Sequence, residues 1–375
     1  MIITFFFNYL NHHQVAVADE MYKILGNNFC FVATYPRDDR ELKGGEDYST
    51  RPYCILASES KTAEARAHDL NKYSDVCVFG AGNLEWEIER AKTGKLTFEV
   101  GERWLKRGWK NMLSPRLLKW WWLHQSLFRR QPIYRLSASA FDARDNELLG
   151  CLKGKHFKWG YFTAVPEGYL RQKPREQNIC VRIMWCARFI DWKHPELATE
   201  CAKLLKEDGY RFHLDMYGDG ELKNSQEAWS KRHGLEGIVT FHGNMPNEQI
   251  LEAMKNCDIF LFTSDRQEGW GAVANEAMAA GCCLVGSDEI GAIPYLVLNG
   301  KNGLIFKSNN IGDLYQKVKS LIDAPKYRKQ LAEQGCMDIH TLWNPKCAAE
   351  RLIQLINDLK ETGTTTLMDG PCSKT

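Results

Sequence analysis

The sequence predicts an α/β fold built from two doubly wound parallel sheets. Three observations carry that expectation. The chain has 375 residues, more than one ordinary core holds. Short β-rich apolar runs alternate with amphipathic helical runs along nearly all of it. That rhythm occurs twice, on either side of a polar, proline-bearing stretch, AVPEGYLRQKPREQN, at 164–178.

In the first half the strand candidates are, in order, IITFFF, NFCFVATY, YCILAS, DVCVFGAG, KLTFEV and PIYRLSAS. The opening MIITFFFNYL is apolar but has no basic leader and no small-residue cleavage site, so it reads as a buried first strand and not a signal peptide. In the second half the candidates are ICVRIMWCAR, RFHLDMYG, IVTFHG, DIFLFTS, CCLVGS and NGLIF. Helical spacing shows between them, as in PELATECAKLLKEDG and NEQILEAMKNC. Three more helical segments follow NGLIF, and the last, NPKCAAERLIQLINDLKE, has a clear apolar stripe. These features divide the chain into a first domain at 1–168, a second at 169–345 and a final helix at 346–361. The polar tail at 362–375 has no periodicity and is expected to be disordered. Two doubly wound domains facing each other would form a cleft at the carboxyl ends of their strands, where open α/β sheets bind ligands.

Composition narrows the function classes. Hydrophobic residues make up 44% and charged residues 26%, as in soluble globular proteins. A formal net charge of +2 gives no whole-molecule signal for nucleic acid. The 13 cysteines include no CxxC pair and no His/Cys set at zinc spacing, which predicts free thiols in a reducing cytoplasm and no metal. No apolar run reaches the roughly 18 residues of a spanning helix.

The densest chemistry lies in DRQEGWGAVANEAMAAGCCLVGSDEIG. It follows the strand candidate DIFLFTS, so DRQEGWG is a loop at a strand's carboxyl end and AVANEAMAAG a helix closed by Gly281. Gly269 and Gly271 let the backbone approach a ligand closely. Amides at the helix start favour an anion such as a diphosphate. Glu276, about one turn into the helix, suits a pair of sugar hydroxyls, and Glu268 in the loop would face the other end of the diphosphate. An acid cluster that merely offsets the helix dipole remains the alternative. Upstream, CARFIDWKHPELA places Arg188 and Lys193 in the loop after the first strand of this half, with Pro195 near a helix start. Two cations at that sheet edge can flank one diphosphate and stabilise the charge that develops as it leaves.

Together, EGWGAVANEAMAAGCCLVGSDEIGAIPYLVLNGKNGLIF and ARFIDWK resemble the donor-site signature of the retaining glycosyltransferases of family four, which have the GT-B fold. Ala187 stands where the family usually has glycine, and so does His194. YGDGEL, FHGNMPNEQILEAMKNCDIFLFTS and the final helix also fit, and the likeness runs from about Ile179 to Glu361. The resemblance implies that Arg188 and Lys193 bind the donor diphosphate and that Glu268 contacts the transferred sugar. It implies that Gly269, Trp270, Gly271 and Ala272 contact sugar and phosphate through their amides, and that Glu276 holds the ribose. The base, with uridine favoured, would sit near Gly218 and between His242 and Met245. It also implies a final helix that crosses back to the first domain, retention by front-face attack, and no cofactor or metal beyond a nucleoside-diphosphate-sugar co-substrate. The acceptor would be a saccharide or a lipid-linked saccharide, in bacterial surface polysaccharide or lipopolysaccharide assembly at the cytoplasmic face of the inner membrane. A nucleotide-sugar epimerase of the same fold and a non-catalytic nucleotide-sugar-binding protein are the rival readings.

The first half departs from that pattern. A Gly-Gly loop usual in the family is replaced by NYLNHHQ, which makes Asn11, His12 and His13 substrate candidates, with His13 a catalytic one. Asn83, Glu99 and Glu102 are further acceptor-side candidates. GAGN lacks the rest of a dinucleotide fingerprint. The segment ERWLKRGWKNMLSPRLLKWWWLHQSLFRR is basic and rich in tryptophan. Arg103, Lys106, Arg107, Lys110, Trp120, Trp121 and Trp122 within it suit an anionic membrane surface, with packing of a long connection as the alternative. No nucleic-acid partner is expected.

Overall fold

The computed structural model describes residues 1–35, 47–80, 82–165 and 180–375. The chain forms two compact units: Met1–Ala164 with Asn344–Thr375, and Val165–Trp343. Most of the linker stretch anticipated at 164–178 lies outside the described residues.

The first unit is built on a parallel sheet of β1 (Ile3–Phe7), β2 (Phe29–Ala33), β3 (Cys54–Leu56), β4 (Val76–Phe79), β5 (Thr97–Gly101), β6 (Ile133–Ser137) and β7 (His156–Lys158). Its strand order is β3-β2-β1-β4-β5-β6-β7. β1, β2, β4 and β5 are buried along their whole length, as strands covered on both faces must be, which is why they read as unbroken apolar runs. The helices are α1 (Val15–Leu25), α2 (Lys61–Tyr73), α3 (Leu84–Ala91), α4 (Pro115–Gln125) and α5 (Asp142–Leu148).

The second unit has β8 (Val181–Cys186), β9 (Phe212–Tyr217), β10 (Val239–Gly243), β11 (Ile259–Phe262), β12 (Cys283–Ser287) and β13 (Leu304–Phe306), in the order β10-β9-β8-β11-β12-β13. Its helices are α6 (Pro195–Glu207), α7 (Lys223–Arg232), α8 (Asn247–Lys255), α9 (Val273–Ala279), α10 (Ile293–Leu296), α11 (Ile311–Asp323) and α12 (Pro325–Thr341). One face of this sheet packs Val181, Ile183, Trp185, Leu214 and Leu261 against Leu197, Cys201 and Leu205 of α6 and Leu314 and Val318 of α11.

The last helix, α13 (Pro345–Glu361), returns to the first unit and packs on α1. Asn344 caps it by accepting from the Cys347 amide at 2.9 Å, and Pro345 opens its first turn. The tail corrects the expectation of disorder. Lys158 N donates to Ser373 O at 2.8 Å, Cys372 N donates to Lys158 O at 2.7 Å, and Cys372 is buried. β7 is an edge strand with unpaired backbone groups, and two or three tail residues satisfy them. A pairing that short leaves no periodicity in the sequence.

In each sheet the order reverses once, between β1 and β4 and between β8 and β11. The chain winds outward from one central strand, then restarts on its other side. The loops that leave the two central strands therefore diverge and open a crevice at the carboxyl edge.

Candidate functional site

The second sheet brings the loops after β8 and β11 together. β8 and β11 pair directly, with Leu261 opposite Trp185. Just beyond them, the Trp185 indole donates to Thr263 Oγ1 at 2.8 Å, and Thr263 Oγ1 donates to Lys193 O at 2.7 Å. Asp265 N donates to Trp192 O at 3.0 Å. This lattice fixes the backbone of the cationic loop against the acidic one. Lys193 Nζ then forms an ion pair with Glu268 Oε2, which also accepts from Ser264 Oγ at 3.1 Å. Trp192 lies between the two cations, with Lys193 Nζ 4.3 Å and Arg188 Cζ 5.7 Å from its ring. Arg188 is exposed, with no ion pair among the described residues. Lys193 and Glu268 are thus in direct contact, and Arg188 stands beside them.

Glu276 sits in the first turn of α9. It has no side-chain hydrogen bond or ion pair among the described residues, and burial pushes its carboxyl up to about 7. Desolvation, and after it the charge of Glu276, raises the partly buried Cys186 thiol at the end of β8, so Glu276 borders the same sheet edge. A desolvated carboxylate without a partner at a strand end is a candidate for ligand contact, since no ion pair among the described residues uses it.

His194, in the place of the usual glycine, explains that preference. Its φ of 50° and ψ of 56° are left-handed, and Glu196 Oε1 lies 2.6 Å from its Nδ1. Gly271 has φ 90°, and a Cβ there would stand 2.2 Å from Phe262 Cζ. Gly218 has φ 120°, and its Cβ would meet Ala187 O at 1.9 Å, so the loop after β9 lies directly on the cationic loop. His242 is tied down: its Nε2 is 2.7 Å from Asp215 Oδ1, and its ring stacks on Tyr217 at 4.4 Å. Met245, just past β10, is exposed. Trp270 offers only its amide, as expected. Its ring is fully buried, with its indole nitrogen donating to Asn275 Oδ1 at 2.9 Å, so only its backbone can meet a donor.

In the first unit the candidates divide. Asn11 organises the loop after β1: its Oδ1 accepts from His13 N at 2.9 Å, and its carbonyl accepts from Gln14 N and Val15 N. The His12 and His13 rings lie 3.8 Å apart, and His13 stacks on Tyr161 at 5.1 Å. Burial, then the neighbouring His12, lowers His13 to about 4. Glu102 Oε1 accepts from the Tyr161 hydroxyl at 2.7 Å, and Lys106 pairs with its Oε2.

Two acceptor-side candidates are spent on structure. Asn83 is buried and donates to Phe6 O and Gly80 O, so it closes the reversal between β1 and β4. Glu99 lies inside β5, 3.1 Å from His124 Nε2 and 3.4 Å from Arg135 Nη1. The basic segment divides as well. Arg103 is buried against Asp145 at 3.2 Å, and Trp120 turns inward to donate to Glu87. Arg107, Lys110, Lys119, Trp109, Trp121 and Trp122 are exposed. Sequence reasoning missed Tyr161, Thr263 and Ser264. Only the two hydroxyls carry a signal, as the residues directly after a buried strand.

Residues 171–336 match the family model described as Glycosyl transferases group 1. The chain is 32% identical over 124 residues to an uncharacterized glycosyltransferase of Methanocaldococcus jannaschii, covering 33% of this chain and 34% of that protein. It is 33% identical over 119 residues to the N,N'-diacetylbacillosaminyl-diphospho-undecaprenol alpha-1,3-N-acetylgalactosaminyltransferase of Campylobacter jejuni, covering 32% and 30%. The chain thus spans about a third of the length of the curated relatives it matches. The solved structure of Anabaena Alr3699/HepE in complex with UDP is similar with a TM-score of 0.68 at 14% identity, over 96% of this chain and 100% of that one. The fold is GT-B, with two Rossmann-like parallel-sheet domains.

Proposed function

We propose that this protein is a retaining glycosyltransferase that moves a sugar from a nucleoside-diphosphate donor, with uridine favoured, to a saccharide or lipid-linked saccharide. The observation that carries the reading is the Lys193–Glu268 pair beyond β8 and β11, with Arg188 beside it and Glu276 unpaired on α9. Lys193 and Arg188 supply positive charge where the diphosphate gains negative charge as the glycosidic bond breaks. Glu268, already aimed by Lys193 and Ser264, accepts hydrogen bonds from the transferred sugar. Glu276 accepts from the ribose hydroxyls. The group 1 match over the same residues supports this assignment, and the name of the Campylobacter relative supports a lipid-linked acceptor.

The test starts with a thermal-shift screen of nucleoside diphosphates and their sugars. A true donor at about 100 times its Kd adds about 2.7 kcal/mol of stability. With that donor, Lys193→Ala and Glu268→Ala should each lower turnover by more than about tenfold, and the product should keep the donor's anomeric configuration. Full activity in both variants sinks the site assignment.

The exposed part of the basic segment is assigned to an anionic membrane surface at the cytoplasmic face, where a lipid-linked acceptor would lie. Among the described residues no helix is long and apolar enough to cross a membrane. Trp109, Leu113, Leu118 and Trp122 are 63%, 81%, 45% and 60% exposed, large values for such side chains, and Arg107, Lys110, Lys119, Arg129 and Arg130 surround them. Such a surface matches headgroup charge and the acyl boundary together. Co-sedimentation with anionic vesicles at low salt should pellet the protein, and failure to pellet rules the surface out.

A further inference from the structure

The loop between β1 and α1 is short of hydrogen-bond donors. Asn8 Oδ1, His13 Nδ1 and Gln14 Oε1 are all buried without a hydrogen-bond partner among the described residues. The amides that could serve an anion there are already used, because those of His13, Gln14 and Val15 all donate to Asn11. Two unmet side-chain amide oxygens, on Asn8 and Gln14, and spent backbone amides disfavour a phosphate. They favour a ligand that brings donors of its own, such as the hydroxyls of a sugar. The loop leaves β1 where the strand order of the first sheet reverses, which is where such sheets take ligands.

His13 is clamped in this loop from two sides. The His12 ring lies 3.8 Å away, and the Tyr161 ring stacks at 5.1 Å with 21° between planes. Tyr161 follows β7, the far edge strand, so its segment runs back over the carboxyl ends of the intervening strands to reach His13. The phenol is anchored at that end by Glu102 Oε1 at 2.7 Å, and Lys106 holds the second Glu102 oxygen. Packing alone does not require this arrangement, since a leucine would fill the same space. A phenol fixed on a carboxylate holds its ring in one orientation and so fixes the imidazole plane.

We propose that Tyr161, anchored on Glu102, is a positioning residue that orients His13 to accept a hydrogen bond from a hydroxyl of the acceptor sugar. The inference rests on the glycosyltransferase reading and adds to it the acceptor-side machinery of the first unit. Only the neutral imidazole offers an unprotonated nitrogen, and burial together with His12 keeps His13 in that form. Among the described residues, the charged and titratable groups that face it are His12 on its own loop and Tyr161, with Glu102 and Lys106 behind the phenol. In the reaction the acceptor hydroxyl attacks the donor's anomeric carbon. The bond to the diphosphate breaks and the attacking hydroxyl's single proton leaves on the departing phosphate, so the hydroxyl that donates to His13 is a different, non-reacting one of the same sugar.

The test uses the full chain with carbon-13-labelled histidine, read by NMR. In the wild type His13 should titrate at about 4. Tyr161→Ala should move that midpoint up toward the ordinary value of about 6.5, and Tyr161→Phe, which keeps the ring, should restore most of the shift. Octyl glucoside and octyl galactoside should each perturb the His13 resonance in the wild type, and inorganic phosphate should not. A wild-type midpoint near the ordinary value overturns the proposal. So does one that Tyr161→Ala leaves unmoved, a perturbation by phosphate alone, or no perturbation by any of the three probes. In assays with the identified donor, Tyr161→Ala should lower kcat/KM for acceptor by about tenfold with donor KM unchanged. An equal rise in donor KM points to general damage and overturns the positioning role. A wild type that neither transfers sugar nor is stabilised by a nucleoside diphosphate removes the glycosyltransferase reading itself. A wild type that does both, beside an unaffected Tyr161→Ala, removes only this inference.

Discussion

In the second unit, Arg188, Lys193 and Glu268 lie in loops past the ends of β8 and β11, and Glu276 opens the next helix. In the first unit, Glu99 and Arg135 lie inside β5 and β6 and are buried. Arg135 reaches Asp142 at 2.9 Å and Glu99 at 3.4 Å, Ser137 Oγ donates to Asp142 at 2.9 Å, and His124 completes the set. Gly101 makes room for it, because a Cβ there would stand 2.0 Å from Arg135 Nη2. The residue types are the same in both units, and the uses are opposite. Arg188, two residues past the end of β8, stays exposed with no ion pair among the described residues. A charge within the strand is desolvated and must be met by the protein itself.

The contrast predicts that stability and activity separate. Arg135→Met leaves Glu99 and Asp142 without their cation in a dry interior. It should cost about 3–5 kcal/mol of stability, read as a lower urea midpoint. Lys193→Met should lower that midpoint by less, because its pair, 13% and 12% exposed, still has Ser264 Oγ on Glu268, and should instead abolish most turnover. Equal midpoints for the two variants would erase the distinction between the units.

The same contrast explains what was legible in the sequence. The donor-side residues could be placed because strand ends there are marked by hydroxyls and glycines, and the loop chemistry follows at fixed spacing. Glu99 could not, because KLTFEV places the acid in a strand but does not show the buried Arg135 and His124 that meet its charge. Trp120, Trp121 and Trp122 are adjacent in sequence, but about 100° per residue turns them to different faces of α4. Trp120 joins the buried network at Glu87, and Trp122 is 60% exposed. Composition cannot separate these neighbours. Only the position of the helix on the sheet does. β7 and the tail's bridge to it were missed for a simpler reason, since a three-residue strand and a single bridge do not establish a period.

The smallest effect expected is at Glu276, where the comparison is sharpest because this is a half-buried acid without a side-chain partner among the described residues. Its carboxyl is raised to about 7 in the folded chain, above its value of 4.5 when unfolded. Between those two values the folded state holds more protons than the unfolded one, so this group's contribution to stability is fullest below the lower value and is lost as pH rises toward 7. Glu276→Gln should therefore flatten the pH dependence of stability in that window and melt higher than the wild type at its upper end. Ligand binding should run the other way. The ribose hydroxyls need an ionised carboxylate that accepts from both, so nucleoside diphosphate affinity should rise with pH up to about 7 and then level off. Glu276→Gln should weaken binding by about tenfold at pH values above 8, roughly 1.4 kcal/mol, and remove that rise. Calorimetric titration across the window checks both signs. A variant whose affinity still climbs with pH as the wild type's does would show that the ribose is held elsewhere, and that Glu276 belongs with the buried charges of the first unit.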